Sequence, residues 1–181
     1  LAINSAFVAE KGRVVFAAND TNKIIYATAH TLPSTDKQVE ELAAFDGKYS
    51  VSMDLVEGFS QWVLANGAGV AACVRIAGET LEPMCPTMGI SCVPASFHAM
   101  IDEIFKIRAA DIALDPLLAD AIMRAFIDDL GGKARTAASA IALFKHMCRK
   151  AKQYGFTFNA PKCKFGAAML IYCGCGIVGS E

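Results

Sequence analysis

Ala125-Phe126-Ile127-Asp128-Asp129-Leu130-Gly131-Gly132 constrains this chain more than any other stretch. An apolar run reaches two adjacent acids and leaves through Leu-Gly-Gly, which reads as a hairpin with the acids at its turn. Neighbouring side chains on a strand face opposite ways, but at a tight turn both carboxylates reach one small volume. They repel there unless a cation neutralises them, and an oxygen-only site of this kind suits Mg²⁺. A solvated Asp-Asp turn is the competing reading of the motif taken alone, so the flanking elements must decide.

Those elements have a definite order. Tyr49 to Asp54 alternates with period two and ends at an acid, which predicts a strand. Pro94 suits a first helical turn, and Phe97, Met100, Ile101, Ile104, Phe105 and Arg108 give residues 94–108 one apolar face. Asp115-Pro116 opens a short helix before the hairpin strands over 122–134. Thr136 then caps a long helix, with Ile141, Phe144, Met147, Cys148 and Ala151 as its inward face and Gly155 as its stop. Residues 156–159 return as a strand. The sum is an α+β chain with a ferredoxin-like split βαβ core, an antiparallel sheet with two helices on one face. In that arrangement Asp54 lies beside Asp128 and Asp129, and divalent ions would resolve the repulsion of three carboxylates at one sheet edge.

The remaining segments read as accessories. Residues 7–26 form short strands, and Thr35 with Gln38 has the spacing of a capping box for a helix ending at Gly47. Residues 61–90 are weak strands, and 162–165 and 169–173 are closing strands. At 181 residues the chain is one domain, or a domain and a lobe, and it is long enough for a real core. Hydrophobic residues are 54% and charged residues 19%, apolar for a free-standing domain, so some surface is expected to meet protein subunits. The longest weakly polar run, Gly166 to Gly179, is shorter than the roughly 20 residues of a membrane span. No signal peptide is visible, and a first residue other than Met reads as a fragment or a processed product.

Seven cysteines without regular spacing read as free thiols of a reducing, intracellular compartment. Cys173-Gly-Cys175 lacks the second ligand pair of a metal finger. The net charge of −1 does not advertise nucleic-acid binding, but from Lys133 to Lys164 there are eight Lys and Arg and no acid. A solvated helix face accounts for that run, and so does a surface facing phosphates.

The residues also carry a resemblance. Tyr49-Ser-Val-Ser-Met-Asp54-Leu-Val-Glu-Gly58-Phe59-Ser-Gln61 resembles the first-aspartate motif of reverse transcriptases of gypsy-type LTR retrotransposons, Phe-Ser-x-Leu-Asp-Leu-x-x-Gly-Tyr-x-Gln. Gly89-Ile-Ser-Cys-Val-Pro94-Ala95-Ser-Phe97 resembles their Gly-Leu-x-Asn-Ala-Pro-Ala-x-Phe. Phe126-Ile-Asp128-Asp129 stands for Tyr-x-Asp-Asp, Lys162-Cys163-Lys-Phe165 for Lys-Cys-x-Phe, and Tyr172-Cys-Gly174 for Phe-Leu-Gly. The five motifs keep the family's order. The resemblance implies fingers over residues 1–48 and a palm over 49–181, with 62–90 returning to the fingers and no thumb or RNase H region.

By resemblance, Asp54, Asp128 and Asp129, with the Leu55 carbonyl, hold two Mg²⁺. One activates a primer 3′-hydroxyl and the other binds the incoming dNTP and leaving pyrophosphate. Lys162 matches the lysine proposed to protonate pyrophosphate. Phe59 matches the aromatic residue that closes off the sugar 2′ side; a core aromatic is its competing reading. Lys11 and Arg13 fall where cations grip the triphosphate, Met88 and Gly89 beside the nucleotide, and Phe126 and Gly174 along primer and template. Several positions depart from the family. Ala17, Asn19, Ala71, Met88 and Cys175 stand where it has charged, polar or aromatic residues, and each change lowers polarity or removes a charge. Two functions follow. One is an RNA-directed DNA polymerase fragment acting on an RNA or DNA template with primer and dNTPs. The other is a retroelement-derived, inactive structural subunit of a larger assembly.

Overall fold

The alternation between Tyr49 and Asp54 makes a central strand, paired on both sides within a four-stranded antiparallel sheet. The computed structural model describes residues 4–8, 14–25 and 30–179. Lys11 and Arg13 lie outside them. In chain order the elements are β1 (Asn4–Val8), β2 (Val14–Ala17), α1 (Asn19–Ile24), α2 (Thr35–Ala44), β3 (Tyr49–Asp54), β4 (Val74–Ile76), β5 (Glu79–Leu81) and α3 (Val93–Phe105). There follow α4 (Ala109–Leu114), β6 (Ala121–Phe126), β7 (Asp129–Ala134), α5 (Ala137–Tyr154), β8 (Lys164–Ala167), β9 (Met169–Tyr172) and β10 (Cys175–Val178). They divide into two compact units, Leu1–Thr31 with Glu57–Phe97, and Leu32–Val56 with His98–Glu181.

The first unit is built on a sheet ordered β2-β1-β4-β5, in which β1 runs antiparallel to β2 and parallel to β4. Buried Asn4 ties this sheet to α1 through Thr21, whose hydroxyl donates onward to the Ala71 carbonyl at 2.8 Å. The apolar cluster is made of Ala18, Ala72, Ile90 and Val93, with Phe59 packed against it. Most of residues 61–90 is 3₁₀ turn and loop, with β4 and β5 the only strands among them.

The second unit has the strand order β6-β7-β3-β8, which is the split βαβ order. Its two faces are covered differently, and two adjacent glycines show how. A Cβ at Gly132 would lie 2.7 Å from Leu143 of α5. A Cβ at Gly131 would lie 2.6 Å from the Tyr172 ring of β9. Since side chains alternate along a strand, α5 covers one face, and the β9–β10 hairpin covers the other together with α2. Leu42, Leu170, Tyr172 and Ile177 form the core of that second layer. The last turn of α3 reaches α5 through the Phe105 carbonyl, 2.9 Å from Nε2 of buried His146. Asp111 sits beside that histidine and pairs with Lys150 at 3.0 Å. Burial holds the His146 pKa below its ordinary value.

Several expected elements shift. Residues 156–159 make only a bridge, Leu55 to Phe158, and the outer strand beside β3 is β8. Phe156 and Phe158 direct their rings at Phe105 instead, at 6.2 and 5.9 Å. The helix expected over 94–108 ends at Phe105, because the Asp111 carboxylate takes the Arg108 N–H at 3.2 Å and starts α4. The face of α5 is rotated from the expected one. Leu143 and Met147 are fully buried while Ile141 is 44% exposed, and small Ser139, Ala140 and Ala142 let the helix approach the sheet closely. Leu143→Ala should therefore cost about 2–5 kcal/mol, whereas Ile141→Ala should cost under about 0.5 kcal/mol. Urea unfolding of the two variants checks this, and equal losses would contradict the assigned face. All seven cysteines are free thiols. Among the described residues no helix is long and apolar enough to cross a membrane.

Candidate active site

The β6–β7 hairpin closes with Phe126 paired to Asp129, leaving Ile127 and Asp128 as a two-residue turn. Ile127 has φ of 57°, and a positive φ at the first central position is the backbone pattern of a II′ turn. A β-branched residue adopts that conformation only under strain. Its N–H reaches Nδ1 of buried His98 at 3.5 Å. Next to this turn, β3 ends with Asp54 directly across from Asp129 in the β3–β7 ladder. Directly opposed residues send their side chains to the same face. Asp54 and Asp129 therefore project together, on the side of Gly131 and Tyr172 and away from α5. The turn is tied to β3 by the Leu55 N–H, which donates to the Asp128 carbonyl at 3.3 Å.

Three features define the electrostatics. Burial raises the Asp129 pKa above the usual carboxylate range, and the charges of Asp128 and Asp54 raise it further. The Cys173 backbone N–H and the charge of Lys162 act in the opposite direction. Lys162 itself pairs with Asp54, its Nζ 3.0 Å from Oδ2 and 3.3 Å from Oδ1. Cys173 belongs to the β9–β10 turn, where both Cys173 (φ 49°) and Gly174 (φ 78°) have positive φ, the pattern of a I′ turn. Burial and then Asp129 push the Cys173 thiol up to about 11.

A second layer supports these groups. Buried Gln38 of α2 donates Nε2 to the Ala125 carbonyl at 3.0 Å and accepts the Tyr172 hydroxyl at 2.6 Å on Oε1. The helix cap expected of Thr35 and Gln38 belongs instead to Ser34, whose hydroxyl accepts the Lys37 N–H. Gln38 is thereby released to join β6 and β9 beneath the carboxylates.

Phe126 is half-buried against Leu170, Tyr172 and their cluster, so in this structure it is a packing residue. Gly174 is exposed in the turn that supplies the N–H to Asp129. Leu55 is 2% exposed, with its N–H on the Asp128 carbonyl and a bridge to Phe158. In the first unit, Phe59 meets Phe97 edge-to-face at 4.9 Å and packs on the apolar cluster, as a core aromatic does. Met88 is exposed, and Gly89 has φ of 97° with Phe16 O only 3.1 Å from where a Cβ would be.

Among the described residues no three His, Cys, Asp or Glu side chains are gathered tightly enough to hold a metal ion. Asp54, Asp128 and Asp129 are juxtaposed but not converged. Lys162 holds Asp54 in its own pair. The donor set still fits Mg²⁺, being carboxylate and carbonyl oxygen throughout. Lys162→Met should strengthen Mg²⁺ binding several-fold, because the ammonium no longer competes for Asp54. It should change stability by less than about 1 kcal/mol, since the pair is largely exposed. Isothermal calorimetry with MgCl₂ reads the first effect, and weaker binding in the variant would contradict it.

No protein-family model and no curated protein matches the chain. Solved structures do. The foamy viral protease-reverse transcriptase in complex with an RNA/DNA hybrid matches with a TM-score of 0.76 at 14% identity, over 96% of this chain. The fold is that of a reverse transcriptase. The same viral protein in complex with dsDNA matches at TM-score 0.74 and 15% identity, over 97% of this chain. Native prototype foamy virus protease-reverse transcriptase matches at 0.72 and 17%, also over 97%. This chain spans 22%, 34% and 22% of those three chains, respectively.

Proposed function

We propose that this chain is the fingers–palm part of an RNA-directed DNA polymerase of the gypsy-type LTR retrotransposon kind. One observation carries the reading: within a reverse-transcriptase fold, Asp54 and Asp129 oppose each other on one sheet face with Asp128 in the adjoining turn. The neighbours seen with RNA/DNA hybrid and with dsDNA support a nucleic-acid partner of the same kind.

In this reading Asp54, Asp128, Asp129 and the Leu55 carbonyl would hold two Mg²⁺, which supply charge neutralisation and a more acidic primer 3′-hydroxyl. Lys162, released from Asp54, donates a proton to the leaving pyrophosphate. Met88 and Gly89 border the dNTP, Phe59 limits room at the sugar 2′ position, and Lys11 and Arg13 grip the triphosphate. Phe126 and Gly174 line the primer and template path, Phe126 by supporting the turn from beneath. The test is Mg²⁺-dependent addition of dNTPs to a primer. A chain that binds neither Mg²⁺ at millimolar concentration nor a primer–template would exclude the reading.

A second reading, a structural subunit without activity, is favoured by the outer side of the β9–β10 hairpin. Met169, Ile171 and Val178 are exposed there, and a protein subunit would cover them.

A further inference from the structure

Of the acid-free run from Lys133 to Lys164, Lys162 belongs to the proposed site, whereas the part on α5 lies where the polymerase reading assigns it nothing. Asp129 and Gly131 share one side of β7, the side facing Tyr172, whereas Gly132 faces Leu143 and hence α5. Helix α5 thus lies behind the sheet, on the face turned away from Asp54 and Asp129. Its inward side is filled by Leu143, Met147 and Ala151. Its outward side carries Lys145, Arg149 and Lys152, all exposed and spaced i, i+4, i+7, so they line one stripe.

Two of the three cations in the stripe are not neutralised locally. Lys145 and Lys152 have no acidic partner within ion-pair distance among the described residues. Among the described residues the acid paired with Arg149 is Asp111, 3.6 Å away, nearly buried and already bonded to Lys150. Elsewhere in this unit Lys106, Arg108, Arg124 and Arg135 each have an acidic partner on the surface. From Lys145 to Lys152 the stripe rises about 10 Å along the helix axis.

We propose that Lys145, Arg149 and Lys152 form a second nucleic-acid surface, which holds the phosphate backbone of single-stranded template away from the sheet face that carries Asp54 and Asp129. This inference rests on the polymerase reading for its choice of ligand. An acidic protein is the other polyanion such a stripe fits. Nucleic acid is favoured because evenly spaced cations with no interspersed acid match a uniform phosphate chain, and carry none of the mixed charges that give a protein interface its register.

The test compares two RNA/DNA substrates, a short blunt hybrid and the same hybrid with a long single-stranded RNA overhang, across a salt titration. The full chain binds the overhang substrate more tightly. Lys145→Gln/Arg149→Gln/Lys152→Gln loses that advantage, about tenfold in affinity, and its salt slope on the overhang falls by about 2, at roughly 0.7 per contact. Affinity for the blunt hybrid is unchanged. The double charge reversal Lys145→Glu/Lys152→Glu leaves the Arg149–Asp111 contact in place and gives the same loss, which excludes misfolding as its cause. Unchanged overhang affinity and slope in both variants, with the blunt hybrid still bound, overturns the second surface and leaves the polymerase reading intact. Variants that lose polyglutamate binding but keep the overhang advantage also overturn it, in favour of an acidic protein. If the unsubstituted chain binds neither substrate, both readings fall together.

Discussion

Asp129→Asn is expected to raise the melting temperature of the metal-free chain and, in the same protein, to end primer extension. The aspartate is held partly buried beside two further carboxylates, and its pKa is raised by burial first and by Asp128 and Asp54 next. The folded state therefore holds a proton on Asp129 more tightly than the unfolded state does. By linkage, the ionised group opposes folding above its raised folded-state pKa. That opposition is relieved as the pH falls from there toward the ordinary carboxylate value, near 3.9. Asparagine removes the charge and keeps an oxygen to accept the Cys173 N–H. Its stabilising effect should be largest at neutral pH and should fade as the solution is acidified. Thermal melts without Mg²⁺ between about pH 7 and pH 4 follow this directly. The same substitution removes charge from the proposed metal site, and extension should fall by about a thousandfold or more, the scale of losing a preorganised electrostatic contact. A lower melting temperature at neutral pH would show that Asp129 is a structural residue rather than one held at a cost to stability.

The second large effect couples core to site through a glycine. Gly131 faces the Tyr172 ring so closely that a Cβ would stand 2.6 Å from it. The ring cannot yield easily, because its hydroxyl is bonded to Gln38 and the residue is buried within the Leu42, Leu170 and Ile177 cluster. Gly131→Ala should cost about 1–3 kcal/mol as overpacking. It should also displace the β9–β10 turn, and with it the Cys173 N–H on Asp129, so activity should fall beyond what the lost stability explains. Tyr172→Leu in the Gly131→Ala background, which removes the rigid ring, should recover part of the stability in denaturant melts. An alanine variant as stable as the parent would mean that the hairpin layer is looser than its packing implies.

The carboxylates were legible because each sits at a place that short-range patterns mark. Asp54 ends a period-two run, and Asp128 and Asp129 close a hairpin whose return strand begins Leu-Gly-Gly. The pairing of β3 with the β6–β7 hairpin followed from the same patterns. Contacts across long sequence distances left no such mark. The Lys162–Asp54 pair joins residues 108 apart, and the Tyr172–Gln38 bond joins residues 134 apart. Gln38 even carried a plausible local role, as half of a capping box, which its buried partners overrode. The rotation of α5 was hidden for a related reason. Small residues such as Ser139 and Ala142 set which side approaches the sheet, while a hydrophobic pattern gives more weight to exposed Ile141. The strand expected at 156–159 failed because two aromatic residues found a better surface in Phe105 than in a ladder.

Extension of a DNA primer on an RNA template, with Mg²⁺ and dNTPs, tests the central claim most directly. It should be run on the longest natural form that carries this chain, beside its Asp128→Asn variant. Product is expected from the unsubstituted protein and none from the variant, with both equally folded by circular dichroism. Equal extension by the two proteins, or none from the unsubstituted protein at saturating Mg²⁺, would contradict it.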